Sequence, residues 1–128
     1  MATTYEPIAT QTVSAVSSVS FTSISSAYTD LRLVFQGSNG AVLMKMFCNN
    51  DTTNTNYWSL MMLGDGNSAS TAIYNVPWLY VWPTAVGYQF SITTDILNYS
   101  NTGVYKSWIG RQGAADSGSI LTLSLIHI

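Results

Sequence analysis

The sequence predicts an all-β protein, an antiparallel β-sandwich with a jelly-roll-like arrangement of strands. Apolar and polar residues alternate with period two, most clearly where Leu31, Leu33 and Phe35 share one side of an extended segment. Clusters of Gly, Asn, Asp and Ser separate such stretches at intervals of roughly 8 to 12 residues, as in β-sandwiches. No long window shows the 3.6-residue period of an amphipathic helix.

Length and composition restrict the class further. The 128 residues suffice for one domain, which we assign to residues 1–122, and charged residues make up only 8% of the chain. A net charge of -2 gives no basic surface for nucleic acid. The apolar runs fall short of the ~18 residues of a membrane span. The N-terminus lacks a basic start and apolar block, so we expect no secretory signal and synthesis in a cytoplasm.

The N-terminal residues predict a first hairpin. Tyr5–Val13 reads as an edge strand, because Pro7 near its start removes a backbone donor that an edge strand can spare. Val16–Phe21 alternates apolar residues with Ser, and the two strands would meet at a turn about Ser14 and Ala15.

A second hairpin is predicted between Leu31 and Cys48. The turn signal is Gly37–Gly40, whose Gly and Asn residues tolerate positive φ. Ala41–Cys48 then resumes as a strand, and the single cysteine, Cys48, is expected to be a buried thiol. The expected core face of this strand consists of Val42, Met44, Met46 and Cys48.

The polar stretch Asn49–Asn56 is the strongest candidate for a binding loop, and Asn49, Asp51 and Asn54 are its candidate ligand residues. Its Asn, Asp and Thr oxygens could coordinate Ca²⁺, but with Asp51 as its one carboxylate we favour a solvated loop without a metal. A strand over Tyr57–Leu63 follows. The Gly64–Asn67 segment has no helix after it to hold a phosphate and is interpreted as a turn.

Aromatic residues concentrate in the next strand. Trp78, Tyr80 and Trp82 share one face between Pro77 and Pro83. Such a face can stack on the apolar faces of sugar rings, which predicts a glycan platform. The alternative is a core or subunit-contact strand, because Trp and Tyr also dominate packing and interfaces.

The remaining chain predicts three more strands. Tyr88–Leu97 alternates regularly and is followed by a loop over Asn98–Gly103. Val104–Arg111 is the next strand, Gln112–Gly118 is expected to turn, and a last strand begins at Ser119.

No catalytic constellation stands out. The single histidine, His127, lies near the C-terminus, away from any Ser-His-Asp or Cys-His arrangement. A glycosidase-like carboxylate pair would need two of Asp51, Asp65, Asp95 and Asp116 within about 10 Å of each other. Since most of these fall in or beside predicted turns, we expect no enzyme, no catalytic residues and no cofactor.

Four segments form a recognisable pattern of strand and turn motifs: Phe21–Leu31, Asn50–Tyr57, Gly64–Gly66 and Asn98–Lys106. They resemble segments of small structural proteins of tailed bacteriophages known from environmental sequences, and Ser25 stands where that family often has proline. The resemblance implies a virion protein of the tail or fibre, assembled in the host cytoplasm with other virion proteins and with copies of itself, and binding a host-surface glycan. It supplies no binding residues. The alternative is a free-standing carbohydrate-binding module that uses the aromatic strand.

We make a separate prediction for the last six residues. Residues 123–128, LSLIHI, look like the translation of a sequencing-library adapter. The natural domain would then continue past Thr122, the strand begun at Ser119 would be truncated, and an exposed sheet edge would remain there.

Overall fold

The computed structural model describes residues 5–38, 44–53, 58–64, 68–74, 79–81, 89–115 and 120–126. These residues contain no helix, and every strand pair is antiparallel. The predicted all-β, antiparallel class is therefore confirmed. The strands are β1 (Leu31–Ser38), β2 (Met44–Met46), β3 (Ser59–Gly64), β4 (Ala69–Tyr74), β5 (Leu79–Val81), β6 (Gln89–Leu97), β7 (Ser107–Ala115) and β8 (Ile120–Ile126).

The strands form two sheets. The larger has six strands in the order β1-β6-β7-β8-β3-β4, and the smaller pairs β2 with β5. β1 and β4 are thus the two edges of the large sheet. Five strand spacings of ~4.8 Å separate these edges by about 24 Å.

The predicted hairpin between Leu31 and Cys48 is wrong. β1 pairs with β6 along its whole length, from Leu31 opposite Ile96 to Ser38 opposite Gln89, whereas β2 pairs with β5. Alternation shows that a segment is a strand and which residues share a face, but it does not choose the partner strand. Here the chain leaves β1 for the other sheet.

The chain reverses direction at the first predicted hairpin, but neither of the two predicted strands forms. Ala15 has φ 54°, and the side-chain amide of Gln11 donates to the carbonyl of Ser20 at 2.8 Å. Residues 5–30 nevertheless contain no strand. A two-stranded hairpin without a third strand or a buried face is only marginally stable, which accounts for the missing ladder.

Two predictions near the C-terminus are also wrong. The turn expected over Gln112–Gly118 does not begin at Gln112, because β7 continues to Ala115 between β6 and β8, and residues 116–118 lie outside the described residues. The exposed edge expected at the last strand is absent, because β8 pairs with β7 on one side and with β3 on the other. Residues 123–126 therefore belong to an interior strand of the large sheet.

The core lies on one face of the large sheet. Met61 of β3 and Trp108 of β7 are buried together, and Phe90 and Ile92 of β6 form a second cluster with the stacked ring of Phe35, 5.5 Å from that of Phe90. The residues packed against the first cluster are Met46, Cys48, Ala72 and Ile96.

Met46 and Cys48 carry the contact between the two sheets. Both belong to the core face predicted for their strand, and the structure confirms both positions, whereas the side chain of Met44 lies outside the described residues. Lys45 and Phe47, which alternate with Met46 and Cys48, are exposed. Val42 lies outside the described residues, as do parts of the predicted turns at Gly37–Gly40 and Gly64–Asn67.

The other face of the large sheet, the open face, is largely exposed where its side chains are described. The burial of β1 alternates strictly, with Arg32, Val34 and Gln36 exposed, and β6 follows the same pattern at its start. No helix in the described ranges is long and apolar enough to cross a membrane.

Candidate interaction site

The predicted aromatic site is only partly within the described residues. Trp78 and Trp82 lie outside them, and Tyr80 is placed in β5, where its backbone is opposite Lys45. The register sets Leu79, the first residue of β5, opposite Met46, the last residue of β2. The start of the aromatic strand and the chain leaving β2 therefore lie at the same end of the small sheet.

The chain leaving β2 is the predicted polar loop. Asn49 and Asn50 both adopt left-handed backbone conformations, with φ 53° and 57°, as Asn tolerates. The Asp51 N–H donates to the Cys48 carbonyl at 2.9 Å, and Oδ1 of Asp51 accepts from the Thr53 N–H at 2.9 Å. The Asp51 carboxylate thus stabilises its own turn. Asn54, the third candidate of this loop, lies outside the described residues.

Cys48 precedes this turn as a half-buried thiol packed against the Met61 and Trp108 cluster. Burial, and secondarily the negative charge of Asp51, raise its pKa to about 11. The thiol therefore stays protonated near neutral pH, which is the state expected of a cysteine that packs and does not react.

The described members of the predicted carboxylate set lie on separate elements of the fold. Of the four aspartates considered above, Asp65 and Asp116 lie outside the described residues. Asp95 is on β6, paired with β1, whereas Asp51 is in the turn after β2. Among the described side chains, no three His, Cys, Asp or Glu come together in a group that could hold a metal ion.

An ion pair that sequence reasoning missed joins β1 to β6 on the open face. Arg32 and Asp95 are directly opposite in register, and the guanidinium donates through Nε to Oδ1 at 2.5 Å and through Nη2 to Oδ2 at 2.8 Å. These hydrogen bonds lower the pKa of Asp95 and raise that of Arg32. The opposite charges of Arg32 and Asp95 were visible in the sequence. The two residues are 63 positions apart, so their pairing could be predicted only from the β1–β6 register.

The N-terminal arm, defined as Tyr5–Ser23, is held near this pair. The Tyr5 ring lies 4.5 Å from the guanidinium carbon of Arg32, a cation–π contact. The chain after the arm is fixed to the β6–β7 connection, where the Tyr99 hydroxyl donates to the Ile24 carbonyl at 3.2 Å. Two further bonds join Tyr99 N–H to the Thr29 carbonyl at 2.7 Å and Asn98 N–H to the Asp30 carboxylate at 2.8 Å.

Most of the large apolar side chains that are exposed among the described residues fall into two groups. One is the arm, and the other is the open face of the large sheet. In the second group Leu60 of β3 is opposite Ile73 of β4, and Ile73 is 71% exposed. The exposed members are Tyr5, Ile8, Val13, Val16 and Phe21 in the arm, and Val34, Leu60, Met62, Ile73 and Ile109 on the open face; Phe47, Trp58, Val104 and Tyr105 belong to neither group.

Comparisons with known proteins identify no relative of this chain. No protein-family model matches the chain, and neither curated proteins nor solved structures give a significant match. The interpretation of this surface therefore depends on its own physical chemistry.

Proposed function

We propose that this chain is a non-enzymatic structural subunit of a bacteriophage particle, a tail or fibre component that works by associating with copies of itself and with other virion proteins. The observation that carries the proposal is the exposure of apolar side chains. Val16 of the arm is 53% exposed, and Met62 and Ile73 of the large sheet are 54% and 71% exposed. Subunits of obligate assemblies bury apolar surface of this kind against one another.

The kind of surface supports the same proposal. Apolar side chains concentrated in an arm and on one sheet face are typical of protein contact surfaces. The resemblance of four segments to phage structural proteins supplies the setting, a virion assembled in the host cytoplasm. A jelly-roll-like sandwich is the architecture that we propose for the complete fold, with the Met46 and Cys48 contact joining its two sheets.

A direct test is to sequence the parent DNA on both sides of the coding region. Tail or capsid genes beside it are the expected result. A reading frame that ends after LSLIHI among metabolic or secreted-enzyme genes would contradict both the virion proposal and the adapter interpretation of residues 123–128.

Host-surface glycan binding is the second part of the proposal, and a free-standing carbohydrate-binding module is its alternative. The supporting observation is that β5 begins at the same end of the small sheet at which the Asn49–Asp51 turn follows β2. Stacking on an aromatic side chain and hydrogen bonding by Asn amides are the two contacts that sugars require.

Glycan binding is tested with a glycan array and the variants Trp78→Ala and Trp82→Ala. Trp58→Ala is the matched control, because Trp58 is 51% exposed and lies just before β3. Loss of glycan signal in the first two variants with retention in the control is expected. Equal signals in all three would remove the aromatic strand as the platform.

A further inference from the structure

The N-terminal arm contains a strand-like segment that no strand of its own chain pairs within the described residues. Val16–Phe21 has six residues, no charge and no proline, and Val19 and Phe21 alternate with Ser. Val16 is 53% exposed and Phe21 is 38% exposed. A segment of this composition gains both hydrogen bonds and burial by joining a sheet edge.

An edge of matching length is open at β4. Ala69, Ser70 and Thr71 are exposed, and within the described residues only β3 pairs with this strand. Ala69–Tyr74 also has six residues without charge or proline. The opposite edge differs, because β1 carries Arg32, which is paired with Asp95 and covered by Tyr5. Charges of this kind protect an edge strand from pairing, and β4 has none.

The arm cannot reach the β4 edge of its own chain while Ile24, the residue that follows the arm, is anchored. Ile24 is bonded to Tyr99, just after β6, and Phe21 lies three positions before Ile24. Three extended residues span about 10 Å. A strand added outside β4 would lie five strand spacings from β6, about 24 Å away.

We infer that Val16–Phe21 adds as a seventh strand to the outer edge of β4 in a second copy of this chain. The inference rests on the proposed function and specifies how the subunits join. Donor and acceptor lie at opposite edges of one sheet, so the contact is head-to-tail and every copy can both give and receive a strand. Such contacts generate rings when the rotation closes and filaments when it does not. The donated segment covers exposed apolar surface of the accepting copy, including Ile73.

The test uses two full-length variants that each disable one side of the contact. Phe21→Lys puts a charge in the donated segment, and Ile73→Lys puts one at the acceptor edge. Both side chains are exposed, so each variant is expected to fold, as far-UV circular dichroism checks. Tyr105→Lys and Val34→Lys are the matched controls, since these residues are 88% and 58% exposed and lie outside the proposed contact.

Mass is measured by light scattering after gel filtration over a range of concentrations. Wild type and both controls are expected to associate, whereas each test variant alone runs at the mass of one chain, 13.9 kDa. An equimolar mixture of the two test variants is expected to form a dimer of twice that mass, because one still has an acceptor and the other still has a donor.

The outcomes separate this inference from the proposed function. A wild type that stays monomeric at every concentration overturns both. A wild type that associates, with test variants that associate equally well or a mixture that stays monomeric, overturns the strand donation and leaves self-association standing.

Discussion

Arg32 and Asp95 illustrate what a charged pair can do at the scale of single residues. The pair lies on the open face, where each side chain is about one-third exposed, and water and salt weaken it. Its geometry is nevertheless bidentate, and it joins an edge strand to its only described neighbour. We therefore expect its contribution to appear as a pH dependence of stability.

The sign follows from the lowered pKa of Asp95. The pair contributes stability above the pKa of an unpaired aspartate, about 3.9, and loses it as the pH falls through the lower folded-state value. The urea midpoint of wild type should exceed that of Asp95→Asn at pH 7, and the gap should close below about pH 4. Glu6→Gln, at an exposed carboxylate of the arm, is the control. A gap that does not change with pH would contradict the account.

Cys48 gives a second residue-scale prediction. Because burial raises its pKa to about 11, little thiolate is present at pH 8. Labelling of the native protein with a thiol reagent at that pH should be about 100-fold slower than labelling of the urea-unfolded chain. Equal rates would show that the thiol is not packed against Met61 and Trp108.

The side of the sheet on which a residue lies could be predicted from sequence where the pattern of a single strand was enough. The alternation of Leu31, Leu33 and Phe35 and the inward position of Met46 and Cys48 follow from period two within a single segment. Gln112 was misread as a turn residue because glycines flank it at 110 and 113 and polar residues are rare in buried strands. It is 4% exposed in β7, where pairing on both sides holds the backbone extended.

At the scale of elements, β3 separates the two faces of the large sheet within two residues. Met61 is 5% exposed in the core, and Met62 is 54% exposed on the open face. Met61→Ala should lower the free energy of unfolding by about 2 to 5 kcal/mol, because it removes buried contacts and leaves a cavity. Met62→Ala, the matched control, should change it by less than about 0.5 kcal/mol. Chemical denaturation measures both, and equal losses would place β3 in a different register.

β8 supports a second prediction at this scale. Because β8 is an interior strand with neighbours on both sides, its amides should exchange with solvent slowly. The amides of the arm should exchange quickly in the monomer. Hydrogen–deuterium exchange resolved by peptide checks this. Fast exchange over residues 123–126 would support the interpretation of LSLIHI as a foreign tail.

Elements were predictable in type more than in number or partnership, since neither of the two strands predicted before Leu31 forms and β4 was not predicted. β6 lies within a residue of its predicted position, because its polar and apolar residues alternate regularly. β3 lies within two residues of its predicted position, because a polar loop and a Gly-Asp-Gly turn bound its apolar run. The pairing of β1 with β6 was not predictable, since it joins segments about 60 residues apart and no local turn sets its register. The interior place of β8 depends on the same long-range pairing.

At the scale of the whole molecule, exposed apolar surface and edge chemistry lead to the same expectation. A chain with an uncharged exposed segment, Val16–Phe21, at one side of a sheet and an uncharged edge strand, β4, at the other is expected to associate with copies of itself. The glycan site had a local sequence signal in Trp78, Tyr80 and Trp82, and it stays a prediction. The proposed strand-donation contact had a sequence signal only for its donor, Val16–Phe21, because an edge is defined only after every strand has found its neighbours.

The most direct measurement is electron microscopy of the purified full-length wild type. Head-to-tail strand donation predicts rings or filaments built from one repeating contact, with an added strand of density beside β4 in every subunit. Isolated monomers, or closed two-fold dimers in which the same surface of each copy meets its counterpart, would contradict it.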